Sequence, residues 1–221
     1  MFIRPCWQPE SPQDALAIIE QHPWAVLVSN GDNGPLATNL PLLIENPGES
    51  VSDLPDKPES SLVLVGHLAR SNEHARHLAN SRTPFLAIFE GPWSYVTASW
   101  YPGRDMPSTY YYTAVHCYGT IELQDEPALD ASVENLTQHM ESIYPDGWRT
   151  DEIPREAITR RLAAIVGFRM HVTRVEAKFK LGQDEPIRDA IAVADQLEEQ
   201  AAPNACALAT LIRKHNHART R

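Results

Sequence analysis

Two apolar runs, Trp24–Ser29 (WAVLVS) and Pro35–Ile44 (PLATNLPLLI), are joined only by Asn30-Gly31-Asp32-Asn33-Gly34. A parallel pair needs a crossover of about a dozen residues, so this short link makes the two runs an antiparallel hairpin. Further strand-forming runs follow at Leu62–Gly66, Phe85–Phe89, Ser94–Ser99, Tyr110–Leu123 and Val166–Val175. No regular series of crossover helices separates them, so the sheet is expected to be mainly antiparallel. An α+β fold follows, with a compact barrel and peripheral helices.

The helices are marked by their ends. Ser11 is placed to cap a helix opened by Pro12, with Ala15, Leu16, Ile18 and Ile19 on its apolar face and His22-Pro23 closing it. Ser71 or Asn72 starts a short helix to Asn80, and helical spacing recurs near 127–143, 155–165, 185–200 and 204–214. Residues 45–60 carry three prolines among acids and serines and read as a polar loop. The expectation is one domain over 1–221 with a helical C-terminal segment at about 184–216.

Charge narrows the partners. Nineteen basic residues face 29 acidic ones, a net of −10, which disfavours holding a polyanion such as nucleic acid. Cys6, Cys117 and Cys206 are far apart and lack metal-ligand spacing, so neither zinc nor a disulfide framework is expected. The start, MFIRPCWQPE, has no apolar targeting core, and no stretch has the length of a membrane span. A cytoplasmic protein is expected.

Four clusters are candidates for chemistry. His67, Arg70 and Asn72 lie where a strand passes into a helix, a place suited to an anion or a ligand cavity. Tyr95, Ser99 and Trp100 belong to a run of aromatic and hydroxyl residues able to line a flat cofactor; a strand with one aromatic core face is the plainer account. Tyr110, Tyr112 and His116 share one face of a strand while Tyr111 points away, giving either a polar lining or an aromatic ladder. Lys180 and Gln183 lie between a strand and a helix, where a lysine can hold an anionic group. His74, His77, His215 and His217 read as surface residues. No G-x-S-x-G, Walker or G-x-G-x-x-G sequence occurs.

In order, the stretches ATNLPL (37–42), GHLARSN (66–72), FEGPWSYVTASWY (89–101), TYYYTAVHCYG (109–119), IVGFRMHV (165–172) and AKFKLGQ (177–183) resemble the PaiB family. That resemblance implies a split β-barrel of the flavin-reductase kind, a homodimer with cofactor at its interface. The chain departs from the family pattern at Thr109-Tyr110-Tyr111-Tyr112 (commonly T-W-N-Y) and at Gly91-Pro92-Trp93-Ser94-Tyr95 (often G-P-H-A-Y). It departs again at Lys180 to Glu185 (KLGQDE against K-L-S-Q-N-R). The last change removes positive charge from a phosphate neighbourhood.

The chain also resembles the piperazate synthase branch of that family, in its Pro/acid insertion and its acidic stretch ending in Ile187-Arg188. This second resemblance implies heme b, with His67 as the axial ligand of the iron and with Arg70 and Asn72 retained. It also implies an N-hydroxylated amino acid such as N5-hydroxyornithine as substrate and N–N bond formation as the reaction. Arg70 or Lys180 then faces a heme carboxylate, and Tyr112 or His116 serves as base. The alternative is FMN, anchored by Arg70 and Ser71 with ring contacts from the Thr97–Ser99 backbone, in a redox or regulatory protein.

Overall fold

The computed structural model describes residues 1–45, 62–80 and 84–217, with the side chains of 79 and 80 left aside. The polar loop expected at 45–60 thus lies, beyond Glu45, outside the described residues. The strands are β1 (Trp24–Gly31), β2 (Gly34–Pro41), β3 (Leu43–Ile44), β4 (Val63–Ala69), β5 (Phe85–Val96), β6 (Thr109–Leu123) and β7 (Ile165–Lys180). The helices are α1 (Pro12–Gln21), α2 (Glu73–Asn80), α3 (Glu126–Glu141), α4 (Arg155–Leu162), α5 (Ile187–Glu199) and α6 (Pro203–Asn216).

The hairpin is formed as its turn chemistry demands, with Gly31 opposite Gly34 and Trp24 opposite Pro41. The strands make one sheet in the order β2-β1-β5-β6-β7-β4-β3. Strand β1 pairs antiparallel with β2 and β5, and β4 does so with β3 and β7. Strands β2 and β3 stand at opposite ends of this order yet are consecutive in the chain, with Leu42 alone between them. One residue cannot span an open sheet, so the sheet curls back on itself. Gly66 on β4 marks the closure, since a Cβ there would lie 2.5 Å from Leu42 and 3.1 Å from the Pro41 carbonyl.

The chain divides into two compact units, and β5, β6 and β7 each contribute to both. One comprises Pro23–Ile88 and Cys117–Val175, with a core of Leu27, Leu42, Leu64, Phe85, Phe168 and Met170. The other comprises Met1–His22, Phe89–His116 and Glu176–Arg221. There α1 buries Ala15, Leu16, Ile18 and Ile19, while α5 and α6 bury Val193, Leu197, Leu208 and Ile212. The Asp14 carboxylate accepts the Ser11 N–H at 2.9 Å, closing the first turn of α1, and pairs with Lys214.

Two sequence readings are corrected here. The runs at 85–89 and 94–99 belong to one strand ending at Val96, and Ala98–Trp100 form a short 3-10 turn. Gly91-Pro92 is no break: Gly91 is buried, and a Cβ there would lie 2.2 Å from Thr113 Oγ1. Close packing, and not a turn, requires the glycine. Strand β7 continues to Lys180 instead of ending near Val175, so Lys178 and Lys180 are strand residues. Among the described residues, no helix is long and apolar enough to cross a membrane.

Candidate functional site

His67 stands near the end of β4, in register with Gly167 of β7. Directly opposed residues of an antiparallel pair share a face. The face is identified by Gly167, whose Cβ would point at Gln124 Oε1 (2.4 Å) and Leu129 (2.6 Å). The His67 ring is half-buried, and burial lowers its pKa from the ordinary 6.5. No described residue hydrogen-bonds it, so it is a neutral imidazole with an uncommitted lone pair at pH 7.

Its neighbours are more engaged. Arg70 donates from Nε to the Ala163 carbonyl (3.0 Å) and from Nη2 to the Ile165 carbonyl (2.8 Å), tying the end of β4 to the α4–β7 turn. The guanidinium stays exposed and keeps further N–H groups for an anion. Asn72 caps α2 by accepting the His74 N–H at 2.9 Å, and its amide nitrogen reaches Thr38 Oγ1 at 3.4 Å. His74 is 1% exposed, correcting its reading as a surface residue. Its ring lies between Ser29 Oγ (2.9 Å from Nε2) and Thr38 Oγ1 (3.0 Å from Nδ1) and stacks on Phe85. His215 is likewise buried, against Phe179. Both histidines sit on the inward faces of their helices.

A cavity of about 490 Å³ opens beside this strand end, lined by Arg70, Gln124, Leu129, Arg155, Leu162 and Gly167 among others. Its size suits a small organic ligand, and its wall is mainly apolar. Arg155 makes a two-pronged pair with Asp130 at the rim, with Nη1 3.0 Å from Oδ1. Gln124 donates to Ser132 Oγ at 2.6 Å. Nothing local marks Gln124 in the sequence, because its role depends on Gly167, far along the chain.

The remaining candidates lie in the other unit. Tyr95 and Tyr110 meet edge-to-face at 5.5 Å, with Trp93 at 6.2 Å from Tyr110, which is the aromatic ladder the alternation allowed. All three rings are about half exposed. Ser99 is exposed and Trp100 half-buried in the 3-10 turn, where Thr97 Oγ1 accepts the Ser99 N–H at 3.3 Å. Tyr112 and His116 share the half-buried face of β6, and burial lowers the His116 pKa, helped by the nearby N-terminal charge. Lys180 donates to Thr109 Oγ1. The Gln183 amide clamps its own turn, accepting from Leu181 N (2.7 Å) and donating to the Phe179 carbonyl (2.6 Å).

The comparisons with known proteins fit this architecture. Residues 1–174 match the family model described as "Putative FMN-binding domain". "Protease synthase and sporulation protein PAI 2" of Bacillus subtilis is 25% identical over 212 residues, 96% of each chain. Two solved structures share the fold. The FAD and heme binding protein of Mycobacterium smegmatis has a TM-score of 0.55 at 18% identity, covering 79% of this chain and 73% of its own. The flavocytochrome Anf3 of Azotobacter vinelandii has a TM-score of 0.57 at 14% identity, covering 79% and 69%. With its split-barrel sheet and a family match over most of its length, the chain belongs to the "Putative FMN-binding domain" family.

Proposed function

We propose that this protein binds heme b through His67 and acts, as a homodimer, on a small amino-acid-like substrate. The observation that carries the reading is the His67 imidazole itself: half-buried, kept neutral by burial, and unbonded by any described residue. Such a nitrogen suits an axial iron ligand. The mainly apolar cavity beside the end of β4, lined by Arg70 and Gly167 though not by His67 itself, and the exposed Arg70 guanidinium for a carboxylate support the group. The heme and FAD named for the Mycobacterium relative, and the flavocytochrome class of the Azotobacter one, are consistent with it.

The finer reading is cyclisation of an N-hydroxylated amino acid such as N5-hydroxyornithine. The α-amine nitrogen bonds to the hydroxylated nitrogen, the N–O bond breaks, and the amine proton leaves with the hydroxyl as water. Heme bound at the site supplies a Lewis acid that weakens the N–O bond. The chain provides Tyr112 or His116 to take the amine proton, and burial keeps His116 in the neutral form that can accept it.

A second reading, FMN in a redox or regulatory protein, is favoured by the family match. Arg70 is then a phosphate donor. The net charge of −10 disfavours the regulatory version if it requires direct DNA binding.

Absorption spectroscopy of protein from cells supplied with a heme precursor tests the choice. A Soret band that moves on reduction, and is lost or displaced in His67→Ala, is the expected result. Flavin bands without iron would overturn heme and leave FMN.

A further inference from the structure

Gln124 is held from two sides. Its backbone N–H donates to the Gly167 carbonyl at 3.0 Å, and its Nε2 donates to Ser132 Oγ at 2.6 Å. These bonds fix where the other end of the amide lies. That end, Oε1, is buried and accepts no hydrogen bond from the described residues. A buried acceptor left unpaired costs about 1–3 kcal/mol, so an amide pinned in this way calls for a donor.

The donor is found across the sheet. Gly167 stands directly opposite His67 in the pairing of β4 with β7. A Cβ on Gly167 would lie 2.4 Å from Gln124 Oε1, so the amide fills the space that the glycine leaves beside the histidine. Opposed Cβ positions lie about 4.5–5.5 Å apart, which puts Oε1 within about 8 Å of the His67 Cβ, a gap that an imidazole and one hydrogen bond can bridge. The ring is neutral and bonds no described residue, so it has one N–H to give. The guanidinium groups beside it are engaged: Arg70 with the Ala163 and Ile165 carbonyls, Arg155 with Asp130. A turn of the imidazole about its side-chain bonds satisfies both orphaned groups at once.

We propose that Gln124 is the positioning residue of His67: its Oε1 accepts one ring N–H and thereby presents the lone pair of the other ring nitrogen. Histidines that ligate metals commonly give their second nitrogen to such an acceptor, which fixes the tautomer and raises the basicity of the ligating nitrogen. The consequence for iron rests on the heme reading above; the hydrogen bond itself does not. It also accounts for the glycine at 167, where any Cβ would evict the amide oxygen.

Nitrogen NMR of the cofactor-free protein, labelled with ¹⁵N-histidine, tests the bond at pH 7.5, with His67→Ala identifying the His67 signals. The expected wild-type result is a single tautomer, seen as two widely separated ring-nitrogen shifts. Gln124→Leu should draw the two shifts together, and Gln124→Glu, which keeps an acceptor, should hold them apart. Ser132→Ala, a milder change that only loosens the amide, should draw them part of the way. Averaged shifts in the wild type overturn the proposal, and so does a single tautomer that persists in Gln124→Leu. With heme bound, Gln124→Leu should weaken heme binding about tenfold or more and raise the reduction potential, while Gln124→Glu lowers it. A potential that ignores both variants overturns the positioning role. A single tautomer lost in Gln124→Leu, in a protein that takes up no heme, upholds the bond and sinks only the heme reading.

Discussion

Tyr111, wholly buried on β6, donates its phenol proton to the carboxylate of Glu185 just before α5. Burial, followed by the Glu185 carboxylate, pushes the phenol pKa far up, so Tyr111 is a permanent donor. The two residues stand where the PaiB pattern commonly has Asn and Arg. Two departures that look separate in the sequence are therefore one hydrogen bond in the fold. Gly182 leaves room for it: its φ of +81° is a glycine conformation, and a Cβ there would lie 2.5 Å from the phenol oxygen. Tyr111→Phe should cost about 1–3 kcal/mol by removing a buried hydrogen bond to the Glu185 carboxylate. The double variant Tyr111→Phe/Glu185→Leu should recover part of that loss in urea unfolding.

Stability should fall as pH drops below neutrality. Burial lowers the pKa of His22, His67, His74, His116 and His215 in the folded chain. Between each folded value and the ordinary 6.5 the unfolded chain binds more protons. The stabilisation is complete above that pH and is lost as pH falls through the folded values. Asp14 extends the trend further into acid: burial alone would raise its pKa, but Lys214 and the Ser11 N–H hold it down. Denaturant midpoints measured from pH 7.5 down to about 4.5 should decline steadily, by up to about 1.4 kcal/mol per pH unit for each titrating group.

The thiols should separate by reactivity. Burial pushes the Cys117 pKa to about 12, whereas Cys6 is exposed and Cys206 half-buried. An aromatic disulfide reagent at pH 8 should react first with Cys6, a phase that Cys6→Ser removes. Cys117 should react only after denaturation. Fast labelling of Cys117 in the native protein would contradict this packing.

Replacing His74 should expose the strength of its two hydroxyl contacts. His74→Leu leaves Ser29 Oγ, itself buried, without its partner, at about 1–3 kcal/mol. Adding Ser29→Ala should restore part of the loss, and a cycle of the two variants measures the coupling.

Much of the fold was legible because its signals are local. Ser11-Pro12-Gln13-Asp14 marks the start of α1, and five residues fix the hairpin. The faces of β6 follow from alternation alone, with Tyr111, Thr113 and Val115 inward. What stayed hidden depends on distant partners. Gly91-Pro92 reads as punctuation until Thr113 is seen to press on it. His74 reads as a polar helix residue until Ser29 and Thr38 are seen to receive it. In the same way, β4 gives away His67 by position, while the cavity needs α3, α4 and β7 assembled together.

The pairing of Asp14 with Lys214, and of Arg4 and Trp7 with Asp184, governs how the chain can fold during its synthesis. These contacts join residues 200, 180 and 177 positions apart. The unit of Pro23–Ile88 and Cys117–Val175 has all its residues once position 175 has left the ribosome. The other must wait for α6, keeping Leu16, Ile19 and Phe89 without their final cover in the meantime. At about 5–20 residues per second, that delay lasts several seconds. Chaperone dependence and aggregation during expression should therefore respond most to changes in α1, α5 and α6, however well the finished protein tolerates them.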